Sequence, residues 1–247
     1  SSKTVTMQVV FTAYEIVYKI DPTELGVYDK ASSEYRQYTK SEDYIEADYG
    51  PIKEEAKRIV GEETNPYRQA RLIYDWVLKH MTYRLLPRFE GAKFAYDNGY
   101  GECGQYAALF AALTRAVGIP ARLVVGLSWD RVGVYPHGED RGIHVWSEFL
   151  LPGYGWVPVD ASRGDGSGRP NDYFASNPDS DRFLIMSKGT NTMLKSGFTL
   201  PIFQIGGYYY YGRVGNVDCP YRYSVVETQV LTTPTTSQIL TTLTTSQ

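Results

Sequence analysis

The chain has 247 residues, 43% of them hydrophobic, with 28 acidic against 25 basic side chains and three histidines. That length holds one large core or two small ones, and the composition excludes collagen-like and wholly disordered classes. Without a Lys/Arg block, the basic footprint of a nucleic-acid or anionic-membrane binder is missing.

The chain begins SSKTV, without an initiator Met or an apolar h-region, which reads as a trimmed or mature start. Residues 4–20 alternate, with Val5, Met7, Val9 and Phe11 on one face, and predict one long strand or two short ones. The polar stretch 21–48 reads as loop with extended pieces. A helix is expected from Pro51 to Gly61, because Pro suits the first helical turn and Gly the stop. Asn65-Pro66 starts a second, running to about Tyr83, with Ala70, Ile73, Val77 and His80 at helical spacing. Residues 84–100 are irregular and aromatic and end in the turn DNGYG.

From Cys103 to Val117 the chain is apolar nearly all round, which predicts a buried central helix stopped by GIP at 118–120. The longest apolar run, 106–113, is far short of the roughly 20 residues of a membrane-spanning helix. Strands follow at 121–128, 142–151 and 156–160, the last two joined by the turn PGYG. The later runs RFLIM, FTLPIFQI, YYYYGRV and YRYSVVETQV also read as strands. The last 17 residues, 231–247, contain eight threonines and no charge, a composition that builds no core of its own. They are expected to form a disordered stalk or linker of the kind common outside the cell. The expected organisation is an N-terminal strand extension (1–40), a core (41–195), a strand-rich extension (196–230) and the stalk (231–247).

One of only two cysteines, Cys103, sits at the mouth of the apolar helix. There, unpaired N–H groups and the positive dipole end favour a thiolate, while Gly101 and Gly104 leave room for a substrate. A small buried hydrophobe is the competing reading. A cysteine nucleophile needs a base. His80 lies on an apolar helix face and reads as packed, and His137 sits in a solvated loop. His144 shares a strand face with Trp146 and Glu148 and can be held rigidly over the helix mouth. Asp160 follows 16 residues later at the end of the returning strand, a cross-strand orienter if the register permits.

The segments GYGECGQYAALFAALTRAVGIPARLVVG and GIHVWSEFLLPGYGWVPVDAS resemble the transglutaminase-like superfamily, as does ETNPYRQARLIYDWVLKHMTY upstream. The resemblance runs from about Tyr44 to Gly189. It implies an α+β, papain-like core with the nucleophile helix packed on a mostly antiparallel sheet, and strand-rich extensions at both ends. By the same resemblance Cys103 is the nucleophile, His144 the general base and then acid, and Asp160 the orienter. An oxyanion would be met by the Cys103 N–H and by a second donor, with Tyr83 and Tyr96 as candidates. Trp146, Gly101, Gly104, Tyr83 and Tyr96 form the expected substrate-binding set.

The expected activity is acyl transfer from an amide through a Cys thioester, acting on protein or peptide, with peptidase or isopeptidase chemistry favoured. Protein cross-linking and a non-catalytic surface module, bound to wall polymer or a partner through the stalk, are the alternatives. A glycan-releasing amidase is disfavoured, because its zinc-binding C-x-x-C pairs are missing. No cofactor is expected. Calcium at Asp165, Asp172, Asp179 and Asp181 is a minor alternative, since their spacing is not that of an EF-hand. The tyrosine run 208–211 offers a groove lining, and Cys219 reads as a separate thiol rather than a partner for Cys103.

Overall fold

The computed structural model describes residues 4–86, 88–128, 133–135, 143–193, 199–200, 221–231 and 236–246. Its elements run β1 (Thr4–Tyr14), α1 (Ser33–Thr39), α2 (Gly50–Val60), α3 (Pro66–His80), β2 (Thr82–Tyr83), α4 (Ala92–Asn98), β3 (Tyr100–Gly101) and α5 (Cys103–Ala116). There follow β4 (Ala121–Ser128), β5 (Gly133–Tyr135), β6 (Ile143–Leu151), β7 (Gly155–Val159) and α6 (Ala161–Ser167). The chain then passes through two short 3-10 turns into β8 (Phe183–Lys188), β9 (Thr192–Met193), β10 (Thr199–Leu200), β11 (Tyr221–Leu231) and β12 (Thr236–Ser246). The fold is α+β, as the alternation of patterns predicts.

The helices start where local chemistry demands. Asn65 accepts from the N–H groups of Tyr67 and Arg68, and Pro66 opens α3, whose inward face buries Ala70, Ile73, Tyr74 and Val77. The helix ends at His80, earlier than expected, because Thr82 and Tyr83 leave it to pair in parallel with Tyr100 and Gly101. Two further helices occupy segments expected to be irregular. Helix α1 is capped by Ser32 and buries no residue, so it has no apolar period to read. Helix α4 is two turns long and buries only Ala92 and Ala95 before Gly99, at φ +70°, closes it.

Helix α5 is the centre of the fold. Every residue from Gly104 to Arg115 is buried, which leaves its first residue, Cys103, half-buried at the mouth. One side packs on an antiparallel sheet in the order β7-β6-β4-β8, where Phe110 meets Phe149 at 6.2 Å between ring centroids and Ser147 Oγ donates to Ala107 O. Helices α2, α3, α4 and α6 cover the rest. At the far end of α5 the buried Arg115 donates to the carbonyls of Ala121 and Lys40 and to Glu42. One guanidinium thereby ties the start of β4 and the chain before α2 to the helix.

A second antiparallel sheet, β1-β12-β11-β5, corrects the expected stalk. Thr236–Ser246 is a strand hydrogen-bonded on both sides, to β1 from Thr4↔Ser246 to Tyr14↔Thr236 and to β11. A segment that cannot bury a core of its own still forms a strand when two neighbours satisfy its backbone, and β-branched threonines suit that geometry. The N-terminal strand, the C-terminal extension and the tail therefore meet in one sheet. The tyrosine run 208–211, Cys219 and His137 lie outside the described residues.

Helix α6 docks against α3 through Gly164, where a Cβ would sit 1.9 Å from the Tyr74 hydroxyl. That hydroxyl donates to Pro170 O at 2.7 Å. Gly164→Ala is expected to displace the phenol and lower stability by about 1–3 kcal/mol in thermal or denaturant unfolding. A loss below about 0.5 kcal/mol would show that Tyr74 pivots without cost.

Candidate active site

Cys103 is the first residue of α5, and the turn before it is built to hold it there. Glu102 and Gln105 cap each other, with the Glu102 N–H donating to Gln105 Oε1 at 3.1 Å. The buried Gln105 also donates through Nε2 to Glu90 O at 2.9 Å, which ties the helix mouth to the chain ahead of α4. By helix geometry the N–H groups of Cys103 and Gly104 have no partner within the helix. The two glycines play a different part from the one expected. A Cβ on Gly101 would lie 2.4 Å from Gln105 Cβ, and one on Gly104 would lie 2.7 Å from the Phe89 ring. The room they make is filled by the protein's own Gln105 and Phe89, not left for a substrate.

His144 is the second residue of β6, opposite Gly126 of β4. The register Ser147↔Val159 continues to place Asp160 across from Trp146, so Asp160 is a diagonal neighbour of His144. The imidazole Nε2–H donates to Asp160 Oδ2 at 2.5 Å. Cys103 lies near enough to the imidazole to be among the groups that raise its pKa. Asp160 is 3% exposed and caps α6. Its Oδ1 accepts from Ser162 Oγ and from the Arg163 N–H, each at 3.0 Å.

Burial alone would strip the proton from His144, but the charge and hydrogen bond of Asp160, with the neighbouring Cys103, outweigh it and push the pKa up to about 9. Burial pushes the Asp160 carboxyl up, and the opposing pull of His144 and of donors from Arg163 leaves it below the usual carboxylate range. At neutral pH the two therefore form an imidazolium–carboxylate pair near Cys103, with the carboxylate buried and the ring half-buried.

Trp146 is 4% exposed and packs on His144 at 6.0 Å, nearly parallel, and on Phe183 at 4.7 Å. It forms a wall beside the imidazole. Gly126 makes this wall fit, since a Cβ there would meet Trp146 Cη2 at 2.9 Å. Tyr83, 51% exposed, stands opposite Gly101 on the nucleophile's side. Tyr96 lies elsewhere, stacked with His80 and Trp76 and facing Glu55 and Arg58 of α2. His80 bonds the Tyr96 carbonyl through Nε2 and stacks on Trp76 at 4.3 Å, the packed role its helix face predicts.

Three of the four aspartates considered for calcium have protein partners: Asp165 accepts from Tyr106, Asp172 pairs with Arg169 and Asp179 with Arg163. Among the described residues no group of three or more His, Cys, Asp or Glu is placed to hold a metal ion. Ser162, Arg163 and Gln105 escaped the sequence reading. The first two are the second and third residues of the helix that Asp160 caps, but the glycines at 164, 166 and 168 disguise that helix as a loop.

The raised pKa of His144 carries a sign for stability. A group whose folded pKa lies above its unfolded value stabilises the fold fully below the unfolded pKa, about 6.5, and loses that contribution as pH rises through the folded one. The stability gap between wild type and His144→Gln is therefore expected to be widest below pH 6.5 and to shrink as pH rises through about 9, as read by urea unfolding at each pH. A gap that widens with pH would mean that the imidazole is held neutral.

Residues 53–161, which include Cys103, His144 and Asp160, match the family model of the transglutaminase-like superfamily. An uncharacterized protein of Haemophilus influenzae is 34% identical over 151 residues, 53% of this chain and 41% of that protein. The protein-glutamine gamma-glutamyltransferase of Pseudomonas aeruginosa is 36% identical over 85 residues, 32% of this chain and 13% of the enzyme. The chain thus spans less than half the length of these relatives. A candidate cysteine protease from Cytophaga hutchinsonii shares the fold, with a TM-score of 0.50, 18% identity, and 76% and 77% of the two chains covered. The similarity to the transglutaminase-like superfamily is thus carried by residues 53–161, the part of the chain that holds Cys103, His144 and Asp160.

Proposed function

We propose that this protein is a cysteine-dependent amide acyl-transfer enzyme, with Cys103 as nucleophile, His144 as acid and base, and Asp160 as the group that orients His144. The observation that carries this reading is the half-buried imidazole that is bonded to Asp160 and feels Cys103 at the mouth of α5. A protein that only binds has no use for a protonated histidine held against a free thiol.

In the first half-reaction the Cys103 sulfur attacks the amide carbon, a C–S bond forms and the carbonyl electrons move to oxygen. The Cys103 N–H, at the positive end of α5, stabilises that oxyanion. Of the two tyrosines considered as second donor, Tyr83 is the one beside the nucleophile's turn. The imidazolium then gives its proton to the leaving nitrogen as the C–N bond breaks, and a thioester remains. Neutral His144 next takes a proton from water, the hydroxide oxygen adds to the thioester carbon, and the C–S bond breaks to regenerate the starting pair. With water as acceptor the outcome is peptide or isopeptide hydrolysis.

A second reading uses an amine as acceptor and yields a new amide. The similarity to a protein-glutamine gamma-glutamyltransferase favours it. Among the described residues no helix is long and apolar enough to cross a membrane.

The test is a peptide library containing both Gln side chains and ordinary peptide bonds, incubated with and without a primary amine and read by mass spectrometry. Hydrolysis gives cleaved or deamidated products, transfer gives amine adducts, and both require Cys103. His144→Ala is expected to lower turnover by about 10²–10⁴-fold. The wild-type rate is expected to fall as pH rises through about 9, where the imidazolium loses the proton it must donate. No acyl-enzyme and no Cys103-dependent product across the library would overturn the enzyme reading in favour of a binding module.

A further inference from the structure

The carboxylate that orients His144 is held by more than the imidazole. With Oδ1 of Asp160 occupied by Ser162 and the Arg163 N–H, Oδ2 faces two cationic groups, the His144 ring at 2.5 Å and the Arg163 guanidinium, whose Nε lies 3.8 Å away. The same guanidinium donates from Nη1 to Asp179 Oδ2 at 2.7 Å, and that oxygen also accepts from the Tyr173 hydroxyl at 3.3 Å. It lies 4.7 Å from the centroid of Phe183, whose ring packs against both His144 and Trp146. Arg163 thus touches the carboxylate beneath the imidazole and one of the rings beside it.

Two cations that share one buried carboxylate compete for it. A guanidinium near Asp160 favours the ionised carboxylate and repels the proton on His144, while Asp179 draws part of the guanidinium charge away. We propose that Arg163 is a positioning residue which divides its charge between Asp160 and Asp179, and that this division sets how firmly His144 keeps its proton. The inference rests on the reading of His144 as the acid and base of the proposed reaction. Among the described residues, the charged and titratable groups around the imidazole are Cys103 on α5, Asp160 after β7, Arg163 on α6, and Asp179 and Tyr173 in the chain that follows. Tyr74 on α3 also feels the Asp160 charge. Opposite on β4 stands Gly126, and β8 contributes Phe183.

The experiment is an NMR titration of the ring carbons of labelled histidine from about pH 5 to 11, in which the His144 signal is assigned by its loss in His144→Gln. Arg163→Met removes the competing cation and is expected to raise the His144 midpoint by about half a pH unit or more. Asp179→Asn releases the guanidinium onto Asp160 and is expected to lower it. Arg163→Lys keeps the charge and is expected to stay near the wild type. A residue that only packs α6 against β8 would not move the midpoint in opposite directions. The proposal is overturned if Arg163→Met and Asp179→Asn leave the midpoint in place or shift it the same way. Should Arg163→Met fail to fold, Asp179→Asn decides by itself. The shifts are read relative to whatever midpoint the wild type shows, so a wild-type midpoint near the ordinary histidine value counts against the proposed function and not against Arg163.

Discussion

The hydrogen bond between His144 and Asp160 is the constraint around which the site is organised. An imidazolium and a carboxylate taken out of water lose several kcal/mol of hydration each, and they repay it only when every remaining lone pair and proton is satisfied. That requirement explains Ser162 and Arg163, which saturate the second carboxylate oxygen, and the aromatic walls Trp146 and Phe183, which keep water from the ring. It also explains why Gly126 stands opposite His144, where any larger residue would push Trp146 aside.

The fold delivers the third partner to this pair. Helix α5 is enclosed on all sides, so its N-terminus is fixed by the whole core rather than by a local turn. The Glu102–Gln105 cap and the Gly101 and Gly104 contacts then set where the thiol emerges. Stability and chemistry are linked here, because loosening the packing of α5 moves the sulfur relative to an imidazole anchored on the sheet.

Much of this was legible in the chain. Cys103, His144 and Asp160 stand in short motifs whose logic is local: a helix mouth, an alternating strand and a strand end. The stop GIP after an apolar run defines α5 without help from elsewhere. The missed elements share a different physics. Helices α1, α4 and α6 are seven residues each and bury little, so they leave no period in the sequence. The glycines at 101 and 104 were visible, but not what fills the space beside them, because Phe89 arrives from another segment and Gln105 turns back to cap the helix. Residues 236–246 differ from expectation in the opposite direction, since composition reports whether a segment has its own core and not whether two strands flank it.

The most direct test of the central claim is the rate at which a neutral alkylating reagent modifies Cys103 as a function of pH, measured by mass spectrometry in the wild type and in His144→Ala, with Cys219 as the internal reference. A cysteine activated by His144 is expected to react much faster than Cys219 at pH 6 and to lose that advantage when His144 is removed. Equal rates at the two cysteines, or an advantage that survives His144→Ala, would contradict it.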